Sequence, residues 1–287
     1  MKKNIGKMKI VLMSILVGGL LFFGSYVTAF AYTDSYEPND TIDTAIQITP
    51  NTAKSSRDAV SKIVSFINSP IDEDWYKVSL SVGKQTLTLM TSNGLTVDAE
   101  VVAPDQVSRV ISLTTFGDSS LKQIKFDTSV AGNYYVHVLG HNGSYSIDNN
   151  HDYGLSVGNP YYTTGYYTKG LNQTLTITKS SPYSQIVNFD LKNESTIPDE
   201  AVILSVKIGG TETGTAYGRT RSIRTVGSTS WITTKEYTFE NTQFSPAVSP
   251  IRLKQAWQFQ HYANQFYTST YGLNPSIYFT YSCEMFK

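Results

Sequence analysis

Asp72-Glu73-Asp74-Trp75-Tyr76-Lys77-Val78-Ser79-Leu80 is the stretch on which the fold turns. From Asp74 onward Tyr76, Val78 and Leu80 alternate with polar neighbours, the two-residue period of a half-buried β-strand. Asp72 and Asp74 stand two residues apart at the strand's entrance, so their carboxylates share one face. Like charges on one face repel unless something cationic sits between them.

Working outward, Leu87 and Leu89, then Val97 and Val101, continue the alternation, with Asn93-Gly94 as a turn and Ala103-Pro104-Asp105 as another. Segments 107–113, 121–126, 134–139 and 153–157 supply further predicted strands. Segment 41–48 does not alternate cleanly and reads as a short helical or irregular turn. Segment 54–67 is ambiguous: Val60, Ile63, Val64 and Ile67 fit a helical face, while 62–66 also reads as a strand. Short strands separated by turn signals, with little helix, spell a β-sandwich.

Upstream lies a second acidic run, Asp34-Ser35-Tyr36-Glu37-Pro38-Asn39-Asp40-Thr41. Pro38 fixes its own φ and pushes Glu37 into an extended conformation, which sets Glu37, Asn39 and Asp40 on a stiff turn. Calcium takes six to eight oxygen ligands in irregular geometry, and Glu37, Asn39, Asp40, Asp72 and Asp74 together offer most of such a set. The plainer reading makes Asn39-Asp40-Thr41 an Asx-type turn or helix cap, with Asp72 and Asp74 as solvated loop charges. Spacing alone favours the plainer one, because no short calcium-loop pattern is present.

Four stretches taken together add to this: Glu37-Pro38-Asn39-Asp40-Thr41, Asp72-x-Asp74-Trp75-Tyr76-Lys77-Val78, Gly132-Asn133-Tyr134-Tyr135-Val136-His137-Val138 and Tyr153-Gly154-Leu155-Ser156-Val157. As a set, over about residues 33–158, they resemble the bacterial pre-peptidase C-terminal domain, and the collagen-binding domains of bacterial collagenases are similar. The resemblance implies a jelly-roll-like β-sandwich in which calcium often clamps the N-terminal linker against the sheet. It also implies Tyr134, Tyr135, Tyr145 and Tyr153 as ligand-contacting side chains. Two positions where collagen-binding members tend to be acidic are Ser35 and Ile71 here, with Asp34 and Asp72 one residue away.

The N-terminus reads as a secretory signal peptide. Lys2, Lys3, Lys7 and Lys9 precede an apolar run over 10–23, and Ala29-Phe30-Ala31 offers a small-x-small cleavage site, so the mature chain is expected to begin at Tyr32 with no membrane span. Removing those four lysines leaves 19 of the 23 basic residues against 23 acidic ones, a formal charge of −4. Residues 32–158 carry 15 acidic and 8 basic side chains (−7), whereas 159–287 carry 8 and 11 (+3). This asymmetry supports two domains, and neither is basic enough for nucleic-acid binding to be its main business. A single cysteine, Cys283, excludes an intramolecular disulfide, so packed cores must hold the fold.

Residues 159–170, rich in Tyr and Gly, read as a linker between the sandwich and a second β-rich domain over 171–287. Strands are predicted there at 171–179, 185–191, 201–208, 220–226, 230–239, 251–260, 265–270 and 277–283, with Gly209-Gly210 and Gly227-Ser228 as hairpin breaks. The expected architecture is all-β, two sandwiches after a cleaved leader.

No catalytic arrangement is legible. Gly154-Leu155-Ser156-Val157-Gly158 matches the nucleophile-elbow pattern, but no helix follows and Leu155 and Val157 read as inward strand residues. His137, His141 and His151 cluster near one hairpin without a zinc motif. Arg219, Arg221, Arg224 and Lys235 form the densest positive group and read as a solvated strand edge. The sequence therefore points to a secreted non-catalytic binding or accessory protein, calcium-stabilised. Its expected partner is an extracellular protein matrix, a polysaccharide or a secreted peptidase. Two other readings stay open: a hydrolase site among Glu200, Glu212, Glu236, Glu240 and His261, and a toxin-like membrane-active protein using the Ser/Thr-rich segment 222–239.

Overall fold

The computed structural model describes residues 34–115, 117–244 and 250–285. The predicted leader and its cleavage site lie outside the described residues. Among the described residues no helix is long and apolar enough to cross a membrane.

The first sandwich packs two sheets around one core. One sheet runs β1 (Ile46–Ile48), β3 (Glu73–Leu80), β8 (Gly132–Gly140), β5 (Val97–Val102), β6 (Arg109–Thr114); the other runs β2 (Ile63–Ser65), β9 (Tyr153–Gly158), β4 (Gly83–Thr91), β7 (Leu121–Thr128). Strand β3 shows the alternation read from its sequence: Tyr76, Val78 and Leu80 are buried, and Asp74 shares their inward face. They meet Leu87, Leu89, Val136, Val138, Leu155 and Val157 from both sheets. Each fully buried aliphatic side chain contributes about 1.5–3 kcal/mol, which is what closes the sandwich without a disulfide. The ambiguous stretches resolve into a single 3₁₀ turn at Ile42–Thr44 and the short strands β1 and β2. Strand β1 pairs parallel with β3, Ile46 opposite Tyr76, which carries the N-terminal segment to the mouth of β3.

The second sandwich is built on a fifteen-residue strand. Its strands in chain order are β10 (Tyr162–Gly170), β11 (Leu175–Thr178), β12 (Val187–Asp190), β13 (Val202–Thr213), β14 (Ala216–Tyr217), β15 (Thr220–Thr225), β16 (Ile232–Thr233), β17 (Glu240–Asn241), β18 (Ala256–Tyr262), β19 (Gln265–Phe266) and β20 (Thr270–Glu284). One sheet orders β10-β20-β13-β17, with β11 also on β20, and the other orders β12-β18-β15-β16; β14 and β19 pair separately. Trp257, Phe259, Ile208, Phe279 and Leu273 are central to the core.

Three expectations are corrected here. Residues 162–170 are not a linker but the edge strand β10, in register with β20 from Tyr162 opposite Glu284 to Gly170 opposite Ser276. Its glycine is a packing device: a Cβ at Gly165 would stand in the ring of Tyr281. Gly209-Gly210 is no hairpin break, because β13 runs through both residues, with Gly210 at φ 138° against the Asn274 carbonyl, where a Cβ would collide. Segment 230–239 is not a continuous strand. Its strand is confined to Ile232–Thr233; the chain then turns, with an isolated bridge from Lys235 to Glu240, and Phe239 lies over Arg221.

The two sandwiches touch. The Ser56 amide donates to Ser282 Oγ at 2.9 Å, the hydroxyls of Ser56 and Thr164 lie 2.7 Å apart, and Lys125 Nζ meets Glu284 at 2.6 Å.

Candidate metal centre

The N-terminal segment is tied down by its own backbone. The Trp75 amide donates to the Asn39 carbonyl at 2.9 Å, and Asp34 accepts the amides of Tyr36 (2.8 Å) and Phe66 (2.9 Å) and the Ser65 hydroxyl. Glu37 accepts the Asn39 amide at 3.2 Å, and Asp72 accepts the Asn68 amide. These bonds bring Glu37, Asp40 and Asp72 together, with one ligand oxygen from each lying within 4.8 Å of the others. Among the described residues this is the only such group of three. Residues separated by thirty-odd positions in sequence thus form one cradle.

Asn39 and Asp74 lie beneath it, both fully buried at 0 % exposure. Neither Oδ1 nor Nδ2 of the Asn39 side-chain amide has a hydrogen-bond partner, and Asp74 Oδ1 has none. The Asn39 amide is near enough to favour ionised Asp74, yet it stands outside hydrogen-bond geometry. Asp74 Oδ2 accepts the Tyr153 hydroxyl at 2.5 Å, and the Tyr153 and Tyr76 hydroxyls lie 2.6 Å apart. Burial, reinforced by the charges of Asp72 and Asp34, pushes the Asp74 carboxyl up to about 8. Burial also raises Asp72 and Glu37, and the neighbouring carboxylates add to both shifts. A buried side-chain amide with both atoms unpartnered costs on the order of 1–3 kcal/mol per group. The donor set is all hard oxygen, apart from the amide nitrogen, and suits calcium better than zinc or copper.

Of the five residues read as metal ligands, Glu37, Asp40 and Asp72 meet in one group, and Asn39 and Asp74 are buried beside it. The four tyrosines do not converge. Tyr134 is 2 % exposed with its hydroxyl on the Val130 carbonyl, Tyr135 is 9 % exposed and accepts the Gln106 amide, and Tyr153 is 0 % exposed beside Asp74. Only Tyr145 reaches solvent, at 43 %. An aromatic contact face of these four residues is absent, because Tyr134 and Tyr153 share strand parity with Val136 and Leu155 and point into the core.

Each histidine of the first sandwich has its own carboxylate: His137 lies between Glu73 (3.0 Å) and Glu100 (3.4 Å), His141 on Asp98, His151 on Asp148. The Ser156 hydroxyl donates to the Ser61 carbonyl from within β9. The arginines are the larger surprise. Arg221, read as a solvated edge, is 3 % exposed, donating to Glu212 and to the Ile208 carbonyl with its guanidinium 3.5 Å from the Phe239 ring centre. Glu212 also holds Arg219, which reaches Glu236. His261, 2 % exposed, stands near this group with Nε2 on the Leu175 carbonyl and Nδ1 unpartnered. Sequence reasoning missed the network because its members meet only when β13 continues past Gly210.

Fold and cradle define a tandem β-sandwich protein with an acidic oxygen-rich site at the mouth of its first sandwich. That sandwich carries a bacterial pre-peptidase C-terminal domain, whose family model matches residues 72–140. The match begins at Asp72 and leaves Glu37–Asp40 upstream. A solved structure from Eubacterium rectale, described as a candidate secreted protein, shares the fold across both sandwiches at 12 % identity, covering 79 % of this chain and 75 % of its own, with a TM-score of 0.54. The pre-peptidase C-terminal domain of a Bacillus anthracis collagenase is similar at 15 % identity over 39 % of this chain and 93 % of its own, TM-score 0.30. An Aeromonas hydrophila periplasmic inhibitor of g-type lysozyme is similar at 18 % over 40 % and 96 %, TM-score 0.28. No curated protein sequence matches the chain.

Proposed function

We propose that this chain is a secreted accessory or binding protein whose first sandwich is clamped by calcium. The family match at residues 72–140 supports the class. The observation that carries the calcium reading is the buried, wholly unpartnered amide of Asn39 beside three converging carboxylates. Glu37, Asp40 and Asp72 would hold the ion from the outer side, with the Asn39 amide oxygen and Asp74 beneath. Calcium supplies a hard divalent charge that offsets the carboxylate repulsion. The protein's own contribution is the backbone tie between Asn39 and Trp75, which sets the linker against β3 before any ion arrives. With the clamp closed, Glu37–Asp40 is held against the entrance of β3, which stiffens the module that is presented to an extracellular macromolecule or a secreted peptidase.

Thermal unfolding of the chain from Tyr32 onward, with calcium and with excess chelator, tests this. Calcium at about one hundred times its dissociation constant should stabilise by ~2.7 kcal/mol. Asp74→Ala and the milder Asp40→Asn should each abolish the calcium-dependent rise. Identical melting curves with calcium and chelator, or an undiminished rise in both variants, would refute the clamp.

A further inference from the structure

The outer face of the β10-β20-β13 sheet sets exposed aromatic rings among hydroxyl side chains. Tyr166 on β10 and Tyr278 on β20 are 76 % and 45 % exposed. Register places them diagonally: Tyr166 is opposite Thr280, and Thr168 is opposite Tyr278, so all four side chains rise from one face. Diagonal neighbours of this kind lie about 7–8 Å apart, within reach of one extended ligand. Lys207 of β13 continues the row beyond Tyr278.

Two features make this face a shelf rather than an ordinary sheet surface. The Tyr278 ring lies over Gly209, where an added Cβ would stand 3.2 Å from the ring edge, so the missing side chain lets the ring settle down onto the sheet. At the opposite end the first sandwich forms a wall, its Ser56 bonded to Thr164 and Ser282 of the same face. Between that wall and Gly209, the β10 and β20 positions of this face carry no ionisable group but the tyrosines, among the described residues; Lys207 of β13 stands at the rim opposite Glu240 of β17, and Glu284 lies at the wall, paired with Lys125.

We propose that this shelf binds a neutral polysaccharide chain. Charge complementarity selects the ligand: two strands of rings and hydroxyls, beside a Lys207–Glu240 rim whose charges offset each other, offer little to an anionic polymer or a charged peptide. Its aromatic rings offer flat apolar area to the C–H faces of sugars, at low cost in side-chain entropy. Thr168 and Thr280 flank the rings with hydroxyls that exchange hydrogen bonds with sugar hydroxyls, and the Lys207 ammonium adds donors at the rim. The inference narrows the macromolecule of the proposed function to one class and rests on the binding-module reading. It does not rest on calcium, since no residue of the shelf touches the cradle.

Depletion assays with insoluble cellulose and chitin, and gel retardation with soluble xylan and mixed-linkage β-glucan, test it, each run with calcium and with chelator so that the clamp and the shelf fail separately. Retention on at least one neutral polymer is expected, falling tenfold or more in Tyr166→Ala and in Tyr278→Ala and surviving in Tyr278→Phe. Both alanine variants should keep the parent melting temperature, because neither ring is in the core. Absence of retention on every polymer, or retention unchanged in both alanine variants, overturns the proposal. So does a concentration-dependent dimer lost in Tyr166→Ala, which would give the shelf to a second copy of this chain.

Discussion

Asp74 in the first sandwich and Arg221 in the second are both almost wholly enclosed, at 0 % and 3 % exposure, yet their surroundings differ in kind. Arg221 is held by Glu212, the Ile208 carbonyl and the face of Phe239, with its Nε left unpartnered. Asp74 has the Tyr153 hydroxyl on one oxygen, nothing on the other, and two more carboxylates, Asp72 and Asp34, bearing on it with its own sign. A buried charge whose partners come from its own chain is scaffold. Asp74, with its second oxygen unpartnered beside the unpartnered Asn39 side-chain amide, is where the proposed ion would supply the missing partner.

The contrast breaks first at Glu212. Removing one member of a buried pair leaves an uncompensated charge and costs about 3–5 kcal/mol, so Glu212→Ala should lower stability by about 3 kcal/mol, the smaller end because Glu212 is itself part-exposed. Asp72→Asn, measured in chelator, should leave stability unchanged or raise it, because it relieves repulsion while keeping an acceptor for the Asn68 amide. Denaturant midpoints at unchanged m-value report both. Equal losses in the two variants would mean that the carboxylate cradle is as self-sufficient as the arginine network.

Each half of the cradle was readable, because proline geometry sets Glu37 and Asp40 on one turn and the two-residue period aims Asp72 and Asp74 together; spacing alone favoured a plain turn, and only the family resemblance suggested that the halves meet. The same parity places Tyr134 with Val136 and Tyr153 with Leu155, and it outweighs the family resemblance that suggested ligand contacts for them. What stayed hidden depends on contacts distant in sequence. Gly165 looks like a linker residue until the ring of Tyr281 occupies its missing side chain, and Gly209-Gly210 looks like a turn until Tyr278 and the Asn274 carbonyl fill the space above. Once those glycines belong to strands, Glu212 is carried to Arg219 and Arg221, and the Tyr166–Tyr278 shelf exists.

A further test uses pH, because the two sites should respond with opposite sign. In chelator Asp74 titrates near 8 folded against about 3.9 unfolded, so its folded form holds a proton that the unfolded chain has lost. Its contribution is complete below about pH 4 and disappears as pH rises towards 8. His261 is shifted the other way: burial, helped by Arg221, lowers its pKa, so its contribution is present above about pH 6.5 and is lost as pH falls through the folded value. Asp74→Asn should flatten the alkaline decline, and His261→Gln, which keeps a donor for the Leu175 carbonyl, should flatten the acid one. Saturating calcium should erase the Asp74 slope and leave the His261 slope untouched. An alkaline decline that survives Asp74→Asn would place the titrating group elsewhere.

The smallest expected effect lies between the sandwiches, at Lys125 and Glu284. Their side chains are 48 % and 26 % exposed, so the 2.6 Å pair is well solvated and its coupling in a double-mutant cycle should be about 0.2–1 kcal/mol. At 1 M salt, where the screening length falls to about 3 Å, most of that coupling should vanish. The adjacent hydroxyl contacts of Ser56 with Thr164 and Ser282 are insensitive to salt, and they would keep the wall of the shelf in place. A coupling of 2 kcal/mol or more would show that the junction is stiffer than its exposure implies. In that case an ion seated in the first sandwich and a ligand on the second would report on each other, and the two sites would have to be measured together.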